Sequence, residues 1–449
     1  MPVNYRVLLL GHGRQRGATF KPMLTTHRDL VARSLAAVWH PCTQMKHHER
    51  FPLVPIVKGE GAWLIDTDGK RYLDAISSWW VNLFGHANPR INAALKHQLD
   101  ELEHAMLAGF THEPVVQLSE RLAKLTGLGH AFYGSDGASA VEIALKMSFH
   151  AWRNGGRGDK QKFVSLQGSY HGETIGALAV TDVAIFRDAY GPLLNNNLSI
   201  PFPAADAATT DALERLLSER HGEIAALIVE PLVQGASGMR MYDAAWLRHA
   251  RELCTRHDVH LIADEIMTGF GRTGSMFACE QAGIRADFMC LSKGLTGGYL
   301  PLSCVLTTEA IYAAFYDDDM ARGFLHSHSY TGSALACRAA LATLDIFESD
   351  QVIATNRVRA REFLRHADAL RAHASVENFR HLGMIWAFEV KTQKSTFARE
   401  FFVAALHRGV LLRPIGKTVY FMPPYIVSED EFAWLVTQTT SAIDEVCGA

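Results

Sequence analysis

Lys293 closes an apolar run, Phe288-Met289-Cys290-Leu291-Ser292-Lys293-Gly294, and lies 29 residues beyond Asp264, which closes another, His260-Leu261-Ile262-Ala263-Asp264-Glu265. A primary amine at the end of a strand can carry an aldehyde covalently. A carboxylate in reach of the same molecule can keep a pyridine nitrogen protonated, so that the ring accepts carbanion electrons. The pair points to pyridoxal 5'-phosphate. Lysine is normally exposed, so one lodged between an apolar strand and Gly294-Leu295-Thr296-Gly297-Gly298 implies a use for its amine. Taken partly out of water, that amine sheds its proton more readily and becomes a better nucleophile and proton carrier. The plain structural alternatives are an N-cap or buried ion pair for Asp264 and a solvated loop for Lys293.

Two further segments carry chemistry of the same kind. Gly134-Ser135-Asp136-Gly137-Ala138-Ser139 precedes a helix with Val141, Ala144, Leu145 and Phe149 on its apolar face. Free backbone N–H groups at such a helix start can cradle a phosphate monoester, although any tight turn into a helix looks similar. Tyr170-His171-Gly172 follows a strand ending at Leu166, where an aromatic can stack on a flat ring and a glycine permits close backbone approach; a turn tyrosine covering the sheet edge is the alternative. Glu230 also ends a strand, in a position to accept hydrogen bonds from neighbouring backbone.

These residues need a scaffold, and the pattern from about Ala131 onward supplies one. Lys162–Leu166, Ala225–Glu230, Val259–Asp264, Phe288–Leu291 and Leu302–Leu306 read as buried strands, separated in several cases by stretches of helical period such as Ala244–Arg256. That alternation predicts an α/β fold with a mostly parallel central sheet, whose ligand sits beyond the carboxyl ends of the strands. Tyr170, Glu230, Asp264 and Lys293 all fall there. A helical pattern from Leu335 towards His366 reads as one spine joining two domains. Ile385–Val390, Val410–Pro414 and Thr418–Met422 supply strands for a smaller α+β domain, and Ala62–Asp66 with Arg71–Asp74 reads as a hairpin about Thr67–Lys70. The expected division is a large domain over 75–335, a small domain from 36–74 and 336–449, and a disorder-prone extension over 1–35 with no assigned chemistry.

With 44 basic and 47 acidic side chains, charge offers no general reason to expect nucleic acid or an anionic membrane as partner. Seven cysteines without a Cys-x-x-Cys pair read as reduced thiols of a cytoplasmic protein. The apolar patch Val7–Leu10 is too short for a signal peptide or a membrane helix. Arginine-rich residues up to Arg33, with Asp29 as the sole acid, are conceivable as a mitochondrial segment, but serine is scarce and a start at Met23 fits better. No metal site is expected: the His47-His48 pair has no acidic or cysteine ligand at a suitable spacing.

Asp264-Glu265-Ile266-Met267-Thr268-Gly269-Phe270-Gly271-Arg272-Thr273-Gly274, followed by Leu291-Ser292-Lys293-Gly294, resembles the signature of class III, fold-type I aminotransferases. The match runs from Trp39-His40-Pro41 to Pro423-Pro424-Tyr425. Ser77-Ser78-Trp79-Trp80, Gln234–Tyr242 and Arg413-Pro414-Ile415-Gly416-Lys417 are similar to the members that serve biotin biosynthesis. The resemblance implies a homodimeric pyridoxal-phosphate enzyme with active sites shared between subunits. Its implied small-molecule substrates are 8-amino-7-oxononanoate and S-adenosyl-L-methionine, although some relatives use lysine as donor.

Position by position, the resemblance implies Lys293 as the lysine that holds the cofactor and Asp264 as partner of the pyridine nitrogen. Gly137 and Ala138 would supply phosphate-binding backbone, and Tyr170 would cover the ring and touch substrate. His328 and Ser329 match the segment that reaches the phosphate from the neighbouring subunit, with Ser327 beside the substrate. Trp79 would line the substrate channel. Arg413 would grip the substrate carboxylate with two parallel hydrogen bonds, a surface ion pair being the alternative. Adjacent strand residues face opposite sides, so one of Trp79 and Trp80 is expected in the site and the other packed.

Three departures stand out. Cys42 occupies a substrate-contacting position where some members have tyrosine, Ser329 replaces a threonine, and Asp136-Gly137-Ala138 replaces a Ser-Gly-Ser type turn. Another class III ω-aminotransferase acting on diamines or ω-amino acids shares the same core, and a catalytically silent binding protein is the rival from a different class.

Overall fold

Ile224–Val229, His260–Asp264 and Phe288–Leu291 are apolar without alternation, as strands covered on both faces must be. In the computed structural model, which describes residues 26–51, 53–203 and 208–448, these runs form the middle of a seven-stranded sheet. Its strands in chain order are β1 (His130–Gly134), β2 (Lys162–Leu166), β3 (Leu198–Ile200), β4 (Ile224–Val229), β5 (His260–Asp264), β6 (Phe288–Leu291) and β7 (Ser303–Thr307). In space they run β1-β7-β6-β5-β4-β2-β3.

Every pairing from β6 to β3 is parallel, whereas β7 is antiparallel to both β6 and β1. The sheet is therefore mostly parallel, as expected. The run ending at Leu306 reverses because the link from Leu291 to Ser303 holds only a short 3-10 turn, Lys293–Thr296, too little for a helical crossover.

Side chains of successive strand residues alternate between two cores. Helix α1 (Gly137–Asn154) lays Val141 and Ala144 against Ile228, Ile262 and Phe288. Helix α2 (Ala244–Arg256) lays Leu247 and Leu253 on the other face with Leu227, Leu261 and Met289. The consequence for function is the common edge: Gly134, Leu166, Val229, Asp264 and Leu291 all end their strands on the same side. Asp264 is in register with Cys290 and Ser303 with Gly134, which fixes that edge to the residue.

The expected single spine is two helices, α3 (Ala334–Ser349) and α4 (Val352–His366). The chain turns where Gln351 adopts a φ of 47° and Arg90 holds the Asp350 carboxylate at 2.8 Å. The hairpin forms as read, Trp63–Asp66 against Arg71–Asp74, with Asp66 Oδ1 accepting from the N–H of Asp68 and Lys70 and Gly69 at a φ of 81°. Val376–Leu382, Ile385–Val390 and Thr418–Phe421 make an antiparallel sheet.

Val410–Leu411 instead joins the hairpin, parallel to Arg71–Asp74 with Leu411 opposite Asp74. That pairing carries Arg413 to the stretch of chain that leaves Asp74. Of the expected extension, residues 1–25 lie outside the described residues; His27–Ala37 is a helix capped by the Thr26 hydroxyl. No helix among the described residues is long and apolar enough to cross a membrane.

Candidate active site

Lys293 leaves β6 in a left-handed conformation, φ 44°, which turns its side chain off the strand direction. Its Nζ sits 4.6 Å from the centroid of the Trp80 ring. Burial is the main influence on the amine and pushes its pKa down to about 8; Asp264 and Glu230 oppose the shift and Arg272 adds to it.

Asp264 ends β5 and is buried. One carboxylate oxygen lies 2.7 Å from His171 Nδ1 and the other accepts from the Ile266 N–H at 3.2 Å. His171 is itself buried, and among the described residues its Nε2 has no hydrogen-bond partner. Sequence reading placed His171 in a turn motif and missed this contact, for which the motif Tyr170-His171-Gly172 was the only available signal. Glu230 accepts from the N–H of Tyr170 at 3.0 Å and of Gly235 at 2.9 Å. Burial raises its pKa to about 7, against the pull of His171. It thus locks the two loops after β2 and β4 together. Tyr170 points its hydroxyl to Glu173 at 2.9 Å and packs its ring against Phe186; burial first, then Glu173, drives the phenol pKa upward.

The glycine-rich turn opens α1. Asp136 caps it by accepting from the Ser139 N–H at 2.9 Å and the Ser139 hydroxyl at 2.8 Å. The N–H groups of Gly137 and Ala138, in the first turn, have no carbonyl four residues back within the helix. Opposite them, Gly172 has a φ of 125°, and a Cβ there would meet the Ala138 Cβ at 2.5 Å. Side-chain-free backbone thus crowds this corner of the edge. An amine on a strand end, a buried carboxylate braced by an otherwise unpartnered imidazole and a cup of free N–H groups fit the aldehyde, ring nitrogen and phosphate of pyridoxal phosphate.

Trp79 and Trp80 do not lie on a strand, so the expectation of one indole inside and one packed away gives way. Ser77, Ser78, Trp79 and Trp80 have φ values of 52°, 46°, 71° and 73°. They form one left-handed helical turn, with the Trp80 N–H donating to Ile76 O and the Val81 N–H to Ser77 O. Left-handed residues with side chains cost roughly 1–2 kcal/mol each, and such strain gathers where function over-determines the backbone. Trp80 is buried against Lys293 with its Nε1 donating to the Tyr420 hydroxyl at 3.1 Å. Trp79 is 41 % exposed and carries the Arg413 guanidinium 4.7 Å from its ring, so both indoles border the site.

Arg413 also donates from Nη2 to the Cys42 carbonyl at 2.9 Å. The contact uses main chain, which any residue at position 42 supplies. Cys42, Trp79 and Arg413 are thereby brought together at the exposed side of the Lys293 region. The 327–329 segment is placed differently. His328 Nε2 lies 3.2 Å from Ser135 Oγ of the same chain, beside the glycine-rich turn, and Ser329 gives its carbonyl to His104 Nε2 at 2.7 Å. Ser327 is exposed.

The model of the family "Aminotransferase class-III" matches residues 44–443. The chain belongs to the class III aminotransferases. This class III aminotransferase is 49% identical to the adenosylmethionine-8-amino-7-oxononanoate aminotransferase of Helicobacter pylori, over 93% of this chain and 98% of that one. The crystal structure of the protein of that name from Methanocaldococcus jannaschii, at 35% identity, superposes with a TM-score of 0.90 and covers 93% of this chain and 98% of that chain. An omega transaminase from Pseudomonas jessenii, solved in complex with PMP, is 27% identical with a TM-score of 0.88 over 93% of this chain and 98% of that chain.

One other buried lysine of the class III aminotransferase has its pKa pushed down by burial to about 8, and geometry separates the two. Lys160 donates to the carbonyls of His221, Ile224 and Asp258 and precedes β2, at the amino edge of the sheet. Its amine is occupied as a structural bolt. Because burial disfavours the ammonium form, Lys293 releases its proton at lower pH than an ordinary lysine and is available as free amine above its pKa. Reductive alkylation of the cofactor-free protein by a small aldehyde, followed by peptide mapping, is therefore expected to label Lys293 with a pH midpoint near 8. A midpoint near the unperturbed value of about 10.4 would contradict the burial.

Proposed function

We propose that this aminotransferase moves the amino group of S-adenosyl-L-methionine to carbon 7 of 8-amino-7-oxononanoate, yielding 7,8-diaminononanoate, with pyridoxal 5'-phosphate as cofactor. The observation that carries the reading is the convergence at one sheet edge of Lys293, the Asp264–His171 pair and the Gly137–Ala138 backbone, with Arg413 and Trp79 beside them. The identity to the Helicobacter pylori relative supports the choice of substrates.

Bound there, pyridoxal phosphate supplies an electron-accepting ring that stabilises the carbanion left when a substrate proton departs. Lys293 is the group that holds that proton at Nζ, in both half-reactions. Its depressed pKa suits the task, since an amine near neutrality can both accept and return a proton at working pH. Asp264, held in place by His171, keeps negative charge at the ring nitrogen. Gly137 and Ala138 bind the phosphate through backbone, with His328 and Ser329 of the partner subunit as further phosphate ligands, and Tyr170 closes over the ring. Trp79, Ser327 and the Cys42 backbone line the substrate path, and Arg413 grips the carboxylate at the far end of the acceptor.

A homodimer with shared sites is the assembly that fits. Met106, Phe110, Leu325 and Tyr330 are exposed apolar residues next to the 327–329 segment. The two stretches that bear them are tied by the His104–Tyr330 ring contact and the bond from Leu335 N–H to the Glu103 carbonyl. Exposed apolar side chains beside a proposed phosphate-binding segment are what a subunit interface would cover.

The substrate assignment is tested with purified enzyme and separated half-reactions. Arg413→Ala is expected to lower kcat/KM for the oxononanoate by about 10- to 100-fold, the worth of a charge-assisted bond, while the donor half-reaction stays within about threefold. Equal losses in the two half-reactions would remove Arg413 from the role. Brisk turnover of ornithine or β-alanine with none of the oxononanoate would replace the proposed acceptor with that of another ω-aminotransferase.

A further inference from the structure

The left-handed turn Ser77–Trp80 is not self-sustaining, and two buried charges of opposite sign hold its two ends. Asp74 is fully buried; its Oδ1 accepts from the Ser78 N–H at 2.8 Å and its Oδ2 from the Ser78 hydroxyl at 2.7 Å. The same Oδ2 lies 3.0 Å from His86 Nε2, and His86 Nδ1 lies 3.1 Å from the Asn82 amide nitrogen. The amide nitrogen donates only, so His86 accepts at Nδ1 and donates from Nε2 to Asp74.

At the other end stands Arg272, which is 1% exposed. Its Nη2 donates to the carbonyls of Trp80 at 3.5 Å and Asn82 at 3.0 Å, and Nη1 to that of Pro423 at 2.8 Å. The Ser77 hydroxyl adds a bond to Met422 O at 2.8 Å. A carboxylate thus takes the N–H and hydroxyl of Ser78, and a guanidinium takes the carbonyl of Trp80 at the turn's end.

The two indoles differ in what else holds them. Trp80 is buried and has its own anchor in Tyr420, so its place over Lys293 survives some loosening of the backbone. Trp79 is exposed, and its ring meets the Arg413 guanidinium at 4.7 Å. We propose that Asp74 is a positioning residue for acceptor specificity: through Ser78 it fixes the left-handed turn that presents Trp79 to Arg413, and so sets where the acceptor's carboxylate is gripped. This rests on the reading of Arg413 as the carboxylate clamp.

The test compares Asp74→Ala, Asp74→Asn and Ser78→Ala with Arg413→Ala in holoenzyme, by half-reaction kinetics, and in the cofactor-free protein by near-ultraviolet circular dichroism of the tryptophans. Asp74→Ala is expected to raise KM for the oxononanoate about 10- to 50-fold with the donor half-reaction within about threefold, and to change the tryptophan dichroism. Asp74→Asn keeps an acceptor for the Ser78 N–H and is expected to recover most of the loss. Ser78→Ala removes one bond without removing the buried charge, so it reports even if Asp74→Ala does not fold, and its expected effect has the same direction and smaller size. Equal losses in both half-reactions for the Asp74 or Ser78 variants, or an unchanged dichroism, overturn the proposal while a selective Arg413→Ala leaves the clamp standing. A non-selective Arg413→Ala overturns the clamp and, with it, the specificity role of Asp74.

Discussion

Lys293→Ala is expected to lower transamination by about 10⁵-fold, the scale of removing a group proposed as both covalent anchor and proton carrier. The variant retains its fold, because the residue occupies a short 3-10 turn after β6 and its side chain makes no core layer of its own. It is expected still to capture pyridoxal phosphate through the proposed phosphate cup and Asp264, but to lose the visible absorbance of the covalently held cofactor. Spectra and single-turnover rates with each substrate measure both effects. Added methylamine restores part of the rate if the missing function is the amine, whereas activity within about tenfold of the unaltered enzyme would move the chemistry to another residue.

Asp264→Asn is expected to slow both half-reactions by about 10²- to 10⁴-fold and to a similar degree in each. On the proposed reading the carboxylate acts on the ring, which both substrates share, and removing one partner of a buried ion pair costs about 3–5 kcal/mol. The amide leaves His171 without its anionic partner and offers the ring nitrogen a neutral group in place of a charge. Rapid-mixing kinetics of the two halves read the effect. A loss confined to one substrate would show that Asp264 serves that substrate and not the ring. The contrast with Arg413→Ala is the point: one position should damage both halves, the other one half.

The strand ends that build the site were legible in sequence because a buried strand is an unbroken apolar run and a charged residue that ends it has few bland explanations. Asp264, Lys293 and Glu230 fell out of that logic, and the hairpin at Thr67–Lys70 from its turn residues. Strand direction was not legible: an apolar run reads the same both ways, and only the short connection after Leu291 shows that Ser303–Thr307 must reverse. The break at Gln351 was hidden because neither glycine nor proline marks it.

The Trp79–Trp80 turn was hidden for a deeper reason. Four left-handed residues with side chains are disfavoured locally, so no local pattern predicts them; they persist because Asp74, four residues before Ser78, and Arg272, remote in sequence, meet around them. His171 was visible only as part of a turn, since its partner Asp264 lies on a strand brought beside it by the sheet. Residues whose role depends on one strand end were readable, and those whose role depends on two distant segments meeting were not.

One amine, that of Lys293, is the proposed holder of the cofactor at this sheet edge. Borohydride reduction of the enzyme as isolated with pyridoxal phosphate, followed by mass mapping of its peptides, tests it without any assumption about substrate. The expected product is a stoichiometric pyridoxyl group on Lys293 and none on Lys160, although burial lowers the pKa of both amines alike. A label on Lys160 or any other lysine, or no label on a protein that still transaminates, would contradict it.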